Sequence, residues 1–511
     1  MYDVTTKWKY NVFGMKKVPR IVVVGAGIAG IGAASELRDA GFSDVTILEA
    51  TGEIGGRIGK YQLGKAWIDT GAQYIHGTSE TNPVYCLSKK FGILDNVPKE
   101  EGRWSILSEK GSRVDEDFAE RVYGAGEMLI RKRYQDHQRS IGEHFVEEVQ
   151  KLTANWEAST EEKRLMDGIL SMVGKDLLID TGASDLKSVS LGSWKYFHAD
   201  TDGDLNIEGN MFDLPSKLLK EFPDESLLLK KPVRKIEWDG SFRTGNGEQH
   251  PVRVEFGDEE EILADHVVVT ISLGCLKAQA STLFSPQLPE HKLQAIDCVR
   301  FGTLTKIFLV YEEAFWDDDV SEISLLWEDE SPVSLDADPA QWVKHLHFFS
   351  VMKPKEKFGN VLIGWCAGRV GELTETMKEE DLLAAITEHL RAFTRNPSLP
   401  PPKSMFRTQW YSNPFTRGAY TYLPVGTDAE VMDTLALPLS GTKATKPDLQ
   451  LLFAGEATMK SLYSTVQGGL LSGQREAQRL AQHYGKVASP ASHCSLSPQH
   501  QGEPLQPQTV L

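Results

Sequence analysis

Lys306 stands where a lysine can do chemistry. It lies in TKIFLVY, Thr305 to Tyr311, a strand-like run whose other members are mostly apolar. An ammonium drawn into such a run loses hydration, so its proton affinity falls and it can hold a water or handle protons. The plain alternative is an edge-strand lysine in solvent. His76 is a second candidate, closing the alternating run WIDTGAQYIHG from Trp67 to Gly77 as the last residue of a strand. Taken alone, such a histidine is more often a hydrogen-bonded structural group than a catalytic one.

The third constellation binds anions. Val22 to Val24 are a continuous apolar run, and Gly25, Gly27 and Gly30 follow as G-x-G-x-x-G. Gly25 permits a tight turn, Gly27 lets backbone approach a pyrophosphate, and Gly30 lets the next helix pack on the strand. The phosphates then meet free N–H groups at a positive helix end. Ile31, Ala34 and Leu37 share one helical face, Gly41 stops the helix, and Val45 to Leu48 form a second strand ending at Glu49. An acid at that point suits a ribose, and the order strand, turn, helix, strand, acid carries more weight than the glycines alone. Arg57, ending TGEIGGR, can set a fixed cation beside the same pyrophosphate or stand in solvent on a surface turn.

These residues need a large frame. At 511 residues the chain is too long for one ordinary core, so two domains, possibly interleaved, are expected. A net charge of -17 argues against nucleic acid or an anionic membrane and suits a cationic substrate, or simply solubility. Five cysteines without C-x-x-C spacing fit a reducing compartment and no metal site. The first nineteen residues lack the apolar core of a signal peptide, and no run of apolar residues is long enough to span a bilayer. Asn82 to Lys187 reads as a helical, charged insertion, and Pro232–Trp238, Val252–Phe256 and Ala264–Ser272 read as strands returning the chain to the first domain. Val299 to Tyr311, Trp327, His345–Val351 and Val361–Cys366 read as a second, antiparallel sheet, with a helix at Glu380–Thr394 and a linker at Ser398–Ser404. Leu449 to Gln482 repeats the opening logic, with a helix from about Val466, and the tail after Ala488 reads as disordered.

Taken together, the motifs match a family. Gly25 to Gly30 with Glu49, GGR at Gly55–Arg57, GAQYIHG at Gly71–Gly77, GTLTKIFL at Gly302–Leu309, TRGAYTY at Thr416–Tyr422, and FAGEAT…YST…GG…SG at Phe453–Gly473 resemble the FAD-dependent amine oxidases. Within these the nearest likeness is to the polyamine oxidases of the N1-acetylpolyamine and spermine oxidase branch. The resemblance implies an α/β fold in which a Rossmann-like FAD-binding domain (18–80, 205–290 and 440–485) is interleaved with an α+β substrate-binding domain (81–204 and 291–439). The latter would be a mixed sheet flanked by helices, and 1–17 and 486–511 would be flexible termini.

The resemblance also implies roles. Gly25, Gly27 and Gly30 would hold the diphosphate, Glu49 the adenosine ribose, Arg57 the phosphate or flavin edge, Val233 the adenine through its backbone, and Glu456 the ribityl or diphosphate region. The backbone of Thr465 and Val466 would face the flavin's pyrimidine edge, where a helix N-terminus also suits charge near N1. Lys306 would bind a water beside flavin N5, His76 would contact substrate nitrogen, and Tyr420 would form one wall of an aromatic cage, with Thr465 where some members have a tyrosine as the other wall, so that the cage is open on one side. Ser464 adjoins that wall as a substrate contact. Ala419 replaces the flavin-bonded cysteine of monoamine oxidases, so FAD would be noncovalent. Trp410 and Tyr422 are further lining candidates, or core aromatics.

Two positions depart from the branch: Leu304 and Thr305 stand where polar amides are usual, and Gln467 where a histidine often follows YST. Asp202, Asp204 and Glu208 could hold a distal ammonium or form a solvated acidic loop. The expected partners are a small-molecule polyamine and O2, with the protein a monomer or weak dimer in the cytoplasm, because the terminal Thr509-Val510-Leu511 is not of the S-K-L type. The other readings are an L-amino-acid oxidase, which needs an arginine clamp; a histone demethylase, which needs a long helical hairpin; and a flavin-binding interaction protein without turnover.

Overall fold

The computed structural model describes residues 18–97, 102–130, 134–154, 156–197, 203–327, 339–442 and 448–486. The leader, the tail after Ala488 and Asp202 lie outside them. Its first unit is a five-stranded parallel sheet in the order Leu451–Phe453, His266–Val269, Ile21–Val24, Val45–Leu48, Leu227–Leu228. Val22, Val23, Ile47, Val267, Val268 and Leu452 are fully buried. Both sheet faces are therefore covered, as the unbroken apolar runs require.

Helix Ile28–Asp39 follows the first strand, and helix Val466–His483 lies against it. Small residues set the spacing: a Cβ on Gly473 would stand 1.9 Å from the Ala29 carbonyl oxygen, and one on Gly32 2.8 Å from Leu470. Two chain ends more than four hundred residues apart thus meet at one end of one sheet, both leading into helices there.

Of the three strands expected after Pro232, only His266–Val269 joins the parallel sheet. Val233–Glu237 and Val252–Phe256 pair with each other in a separate four-stranded sheet with Glu260–Ala264 and Phe284–Ser285. The reason is patterning: Val252, Val254 and Phe256 are buried while Arg253 and Glu255 are only half-buried, and a strand with one polar face does not fit inside a doubly covered sheet.

The second large sheet has six strands in the order Ser404–Arg407, Leu304–Tyr311, Asn360–Ala367, Phe348–Val351, Val320–Leu326, Arg103–Ser108. Its pairs are antiparallel except the last, which is parallel. That edge strand makes the sheet mixed, as the resemblance implied, where the short connections alone suggested antiparallel pairing, and it comes from within the segment read as helical. Ile307 and Leu309 face a cluster containing Leu382, Ile386, Leu390 and Phe393 of helix Glu379–Thr394. Strand alternation turns Lys306 and Phe308 the other way, and Phe308 packs there among Ile68, Ile363 and Trp365.

WIDTGAQYIHG is two strands, Ala66–Asp69 and Tyr74–His76. Between them a Cβ on Gly71 would lie 1.7 Å from the Arg57 carbonyl oxygen, so the chain bends where it crosses the glycine-rich turn. Helix Thr160–Thr181 begins on a capping box made by Ser159 and Glu162 and ends at Gly182 in the left-handed region. Its last turn carries Ile179 and Asp180 to the same place.

Candidate active site

A cavity of about 720 Å³ runs between the parallel sheet and the six-stranded sheet. Its walls include Gly25, Gly27, Glu49, Arg57, His76, Val233, Lys306, Tyr420, Glu456, Ser464, Thr465 and Val466. Among the sequence candidates, Gly30 is not one of its walls. A Cβ at Gly30 would fall 2.0 Å from the Gly25 carbonyl oxygen, so this glycine closes the turn onto the helix. Gly25 has a φ of +106°, which the turn needs and side chains disfavour. A Cβ on Gly27 meets nothing nearer than 4.0 Å, which leaves the backbone open at the helix N-terminus.

Glu49 secures this loop. Its carboxylate accepts from the Ala26 N–H at 2.8 Å, and from the N–H and hydroxyl of Thr51 at 2.8 Å each. Arg57 donates to the Ala419 carbonyl at 2.7 Å and to Glu456 at 2.9 Å. Glu456 also accepts from the Thr421 hydroxyl at 3.1 Å and from the Ser464 N–H at 3.0 Å. Ser464 has a φ of +67° and donates its hydroxyl to the Thr421 carbonyl. Thr465 then caps helix Val466–His483, accepting from the Gly468 N–H at 2.9 Å. One acid therefore ties the GGR turn, the TRGAYTY segment and the start of the last helix into a single wall.

At the other end, Lys306 is buried and donates to the carbonyls of Asp69 at 3.2 Å and Gly71 at 2.7 Å, and to the side chain of Gln73. Its ammonium lies 4.7 Å from the Trp365 ring centroid. Burial pushes its proton affinity down, opposed by Glu208 and Asp69. Burial likewise pushes the Glu208 carboxyl up, opposed by Lys306. Tyr420 donates its hydroxyl to the Ile179 carbonyl, and burial, then Asp180, hold that phenol protonated. His76 Nδ1 lies 3.0 Å from Asp204 Oδ2 across the pairing of Tyr74–His76 with Asp204–Asn206. Trp410 joins the lining and donates to the Thr70 carbonyl at 3.2 Å, whereas Tyr422 packs against the core.

Among the lining residues that the sequence does not single out are Gln73, Asp180 and Trp365. Trp365 sits opposite Lys306 in the strand register. Asp180 borders the cavity, yet the protein around it strips its hydration, and with Asp176 nearby its carboxyl is pushed up to about 7. A residue in the last turn of a charged helix gives no sequence sign of facing a cavity. Gln73 lies inside the GAQYIHG motif, and nothing local in it marks the carboxamide as a partner of a lysine more than two hundred positions away.

The fold and site define an α/β protein whose one cavity holds both a dinucleotide-type anion site and a buried lysine with aromatic walls. The size lies within the range of about 300–1,000 Å³ usual for ligand sites, and the open backbone at Gly27, the helix starts and Arg57 fit a diphosphate-containing cofactor. Residues 28–481 match the family described as flavin containing amine oxidoreductase. The chain belongs to that family, and its cofactor is FAD. It is 37% identical over 485 residues to a Bos taurus protein named peroxisomal N(1)-acetyl-spermine/spermidine oxidase, with 90% of this chain and 94% of the relative covered. The Homo sapiens protein of the same name is 36% identical over 490 residues, with the same coverage. Among solved structures, cyclohexylamine oxidase from Brevibacterium oxydans IH-35A superposes with a TM-score of 0.64 at 20% identity, covering 92% of this chain and all of that one, a likeness of fold. Among the described residues no helix is long and apolar enough to cross a membrane, and no cluster of His, Cys, Asp and Glu could hold a metal.

Proposed function

We propose that this FAD-dependent amine oxidase oxidises a secondary amine of spermine, spermidine or an acetylated polyamine. The observation that carries the reading is one cavity whose walls hold the glycine loop, Glu49 and the Arg57–Glu456 pair together with Lys306, His76, Tyr420 and Asp180. The names of the two mammalian relatives point to the same substrate class. The two-electron chemistry is supplied by FAD, through hydride from the carbon next to nitrogen and return of the electrons to O2 as hydrogen peroxide.

The chain's own groups do the rest. Gly27 and Thr465–Val466 offer backbone N–H groups to anionic parts of the cofactor, Gly25, whose N–H is donated to the Leu48 carbonyl, supplies the turn, and Arg57, fixed by Glu456, adds a cation. Ala419 places no thiol at the position where a flavin bond would form, which supports noncovalent binding. Tyr420 and Trp410 give ring faces to an amine, while Asp180 and His76 stand where a second, charged nitrogen of a polyamine can be held. The reacting nitrogen must be neutral to release hydride, so the rate should rise above neutral pH. The oxidised substrate is an iminium, and water converts it to an aldehyde and a shorter amine.

The test is a panel of polyamines with and without acetyl groups, plus amino acids, read as peroxide and product amines. Turnover of amino acids alone would replace this reading with an amino-acid oxidase. Flavin that stays oxidised under anaerobic spermine, spermidine and their acetyl derivatives would leave only a flavin-binding role. Microscopy of the full chain against a peroxisomal marker decides between the cytoplasm expected from the sequence and the compartment in the relatives' names.

A further inference from the structure

Lys306 carries three N–H donors as an ammonium, and the protein gives it three acceptors: the carbonyls of Asp69 and Gly71 and the side-chain oxygen of Gln73. Two are backbone atoms that cannot turn away. The third belongs to a carboxamide, whose oxygen and nitrogen could be exchanged by a flip.

A chain of hydrogen bonds fixes that flip. The Glu208 backbone N–H, which can only donate, points at Asn206 Oδ1 at 3.1 Å. That oxygen therefore accepts, and Gln73 approaches it with Nε2 at 3.3 Å. With its nitrogen committed, Gln73 must turn Oε1 toward Lys306. Gln73 is 1% exposed, and its backbone carbonyl accepts from the Ile207 N–H at 2.9 Å, so the residue is held at its backbone as well as through its amide nitrogen.

We propose that Gln73, oriented by Asn206, is the positioning residue for Lys306: it takes the third N–H of the ammonium and so fixes where the lysine stands against the cavity and how firmly it holds its proton. This rests on the amine-oxidase reading above. Asp69 and Glu208 also face Lys306 and favour its charged form, Lys357 lies near both acids, and the Trp365 ring flanks the ammonium.

The test replaces residue 73 in two opposite senses. Gln73→Glu sets a full charge beside the ammonium, and Gln73→Leu removes the acceptor. Full-length, FAD-loaded, substrate-free protein carrying ε-13C-lysine is titrated by NMR, with Lys306→Met to assign the resonance. The Lys306 midpoint should move up by about one unit or more in Gln73→Glu and down by a similar amount in Gln73→Leu. The basic limb of the pH profile of kcat/KM should follow in the same senses. Asn206→Leu should shift the midpoint in the direction of Gln73→Leu, and the double variant should add little to either alone. This arm stands even if residue 73 variants fold poorly. Equal midpoints in all variants, shifts of one sign for both residue 73 changes, or full additivity would overturn the proposal. Because the titration needs no turnover, it can fail while the polyamine panel succeeds, and the reverse.

Discussion

Arg57 and Glu456, 399 positions apart, meet at 2.9 Å in the cavity wall, with Glu456 Oε1 shared by the guanidinium and the Thr421 hydroxyl. Arg57 keeps 29% of its side chain exposed and Glu456 only 8%. Removing the arginine leaves a nearly buried carboxylate with two neutral donors. Loss of one partner from a fully buried pair costs about 3–5 kcal/mol, and solvent on the arginine side lowers that to about 1–3 kcal/mol. Arg57→Met should therefore shift the urea midpoint down and lower the ratio of flavin to protein absorbance, whereas Glu456→Gln, which keeps an acceptor oxygen, should do less of both.

Lys306→Met should leave FAD bound, since the lysine's partners are Asp69, Gly71 and Gln73 and not the glycine loop. Steady-state turnover should fall by about 100-fold or more, the scale of losing a positioned proton-handling group. Stopped-flow measurement of flavin reduction and of reoxidation assigns the loss to one half-reaction. Wild-type rates in both would remove Lys306 from the mechanism.

The parallel sheet, the glycine loop and the last helix were legible because each is specified within a few neighbouring residues: an apolar run, a glycine turn, a cap. Val466 opens its helix at the position expected from the sequence. Arg103–Ser108 escaped because its partner, Val320–Leu326, lies more than two hundred residues away, and nothing local distinguishes an edge strand from its helical surroundings. Asp180 escaped for a similar reason, as its function depends on which element the last turn of a long helix reaches. The pairing of His76 with Asp204 joins two residues singled out separately, and only the strand pairing shows that they share one hydrogen bond.

Asp180 predicts a pH effect on stability. Its folded-state proton affinity is raised from 3.8 to about 7, by the protein crowded around it and then by Asp176, although the residue itself is exposed at the cavity's edge. A carboxyl raised in this sense binds more protons folded than unfolded, so its contribution is present at low pH and lost as pH rises between those two values. Asp180→Asn should match wild type near pH 4 and melt slightly higher at pH 8 in the absence of substrate, by less than a fully buried carboxyl would give because the residue is exposed. The same change should raise KM for a polyamine by about tenfold, one lost hydrogen bond to a charged group, and raise it little for an acetylated analogue lacking charge at the nitrogen held there.

Glu49 separates two functions that one carboxylate can serve. Its oxygens already hold the Ala26 N–H and both donors of Thr51, so Glu49→Ala strands a buried N–H in the glycine loop, at a cost of about 1–3 kcal/mol. Glu49→Gln keeps an oxygen for Ala26 and loses only the charge and one acceptor. If Glu49 acts solely as a brace, the glutamine variant should purify fully yellow and unfold near the wild-type midpoint. If it also binds the ribose of FAD, the glutamine variant should unfold normally but release flavin on dialysis, and the alanine variant should be both colourless and less stable. We expect the second pattern, because Glu49 lines the cavity as well as bracing the loop, and a fully yellow, dialysis-resistant alanine variant would exclude the ribose contact.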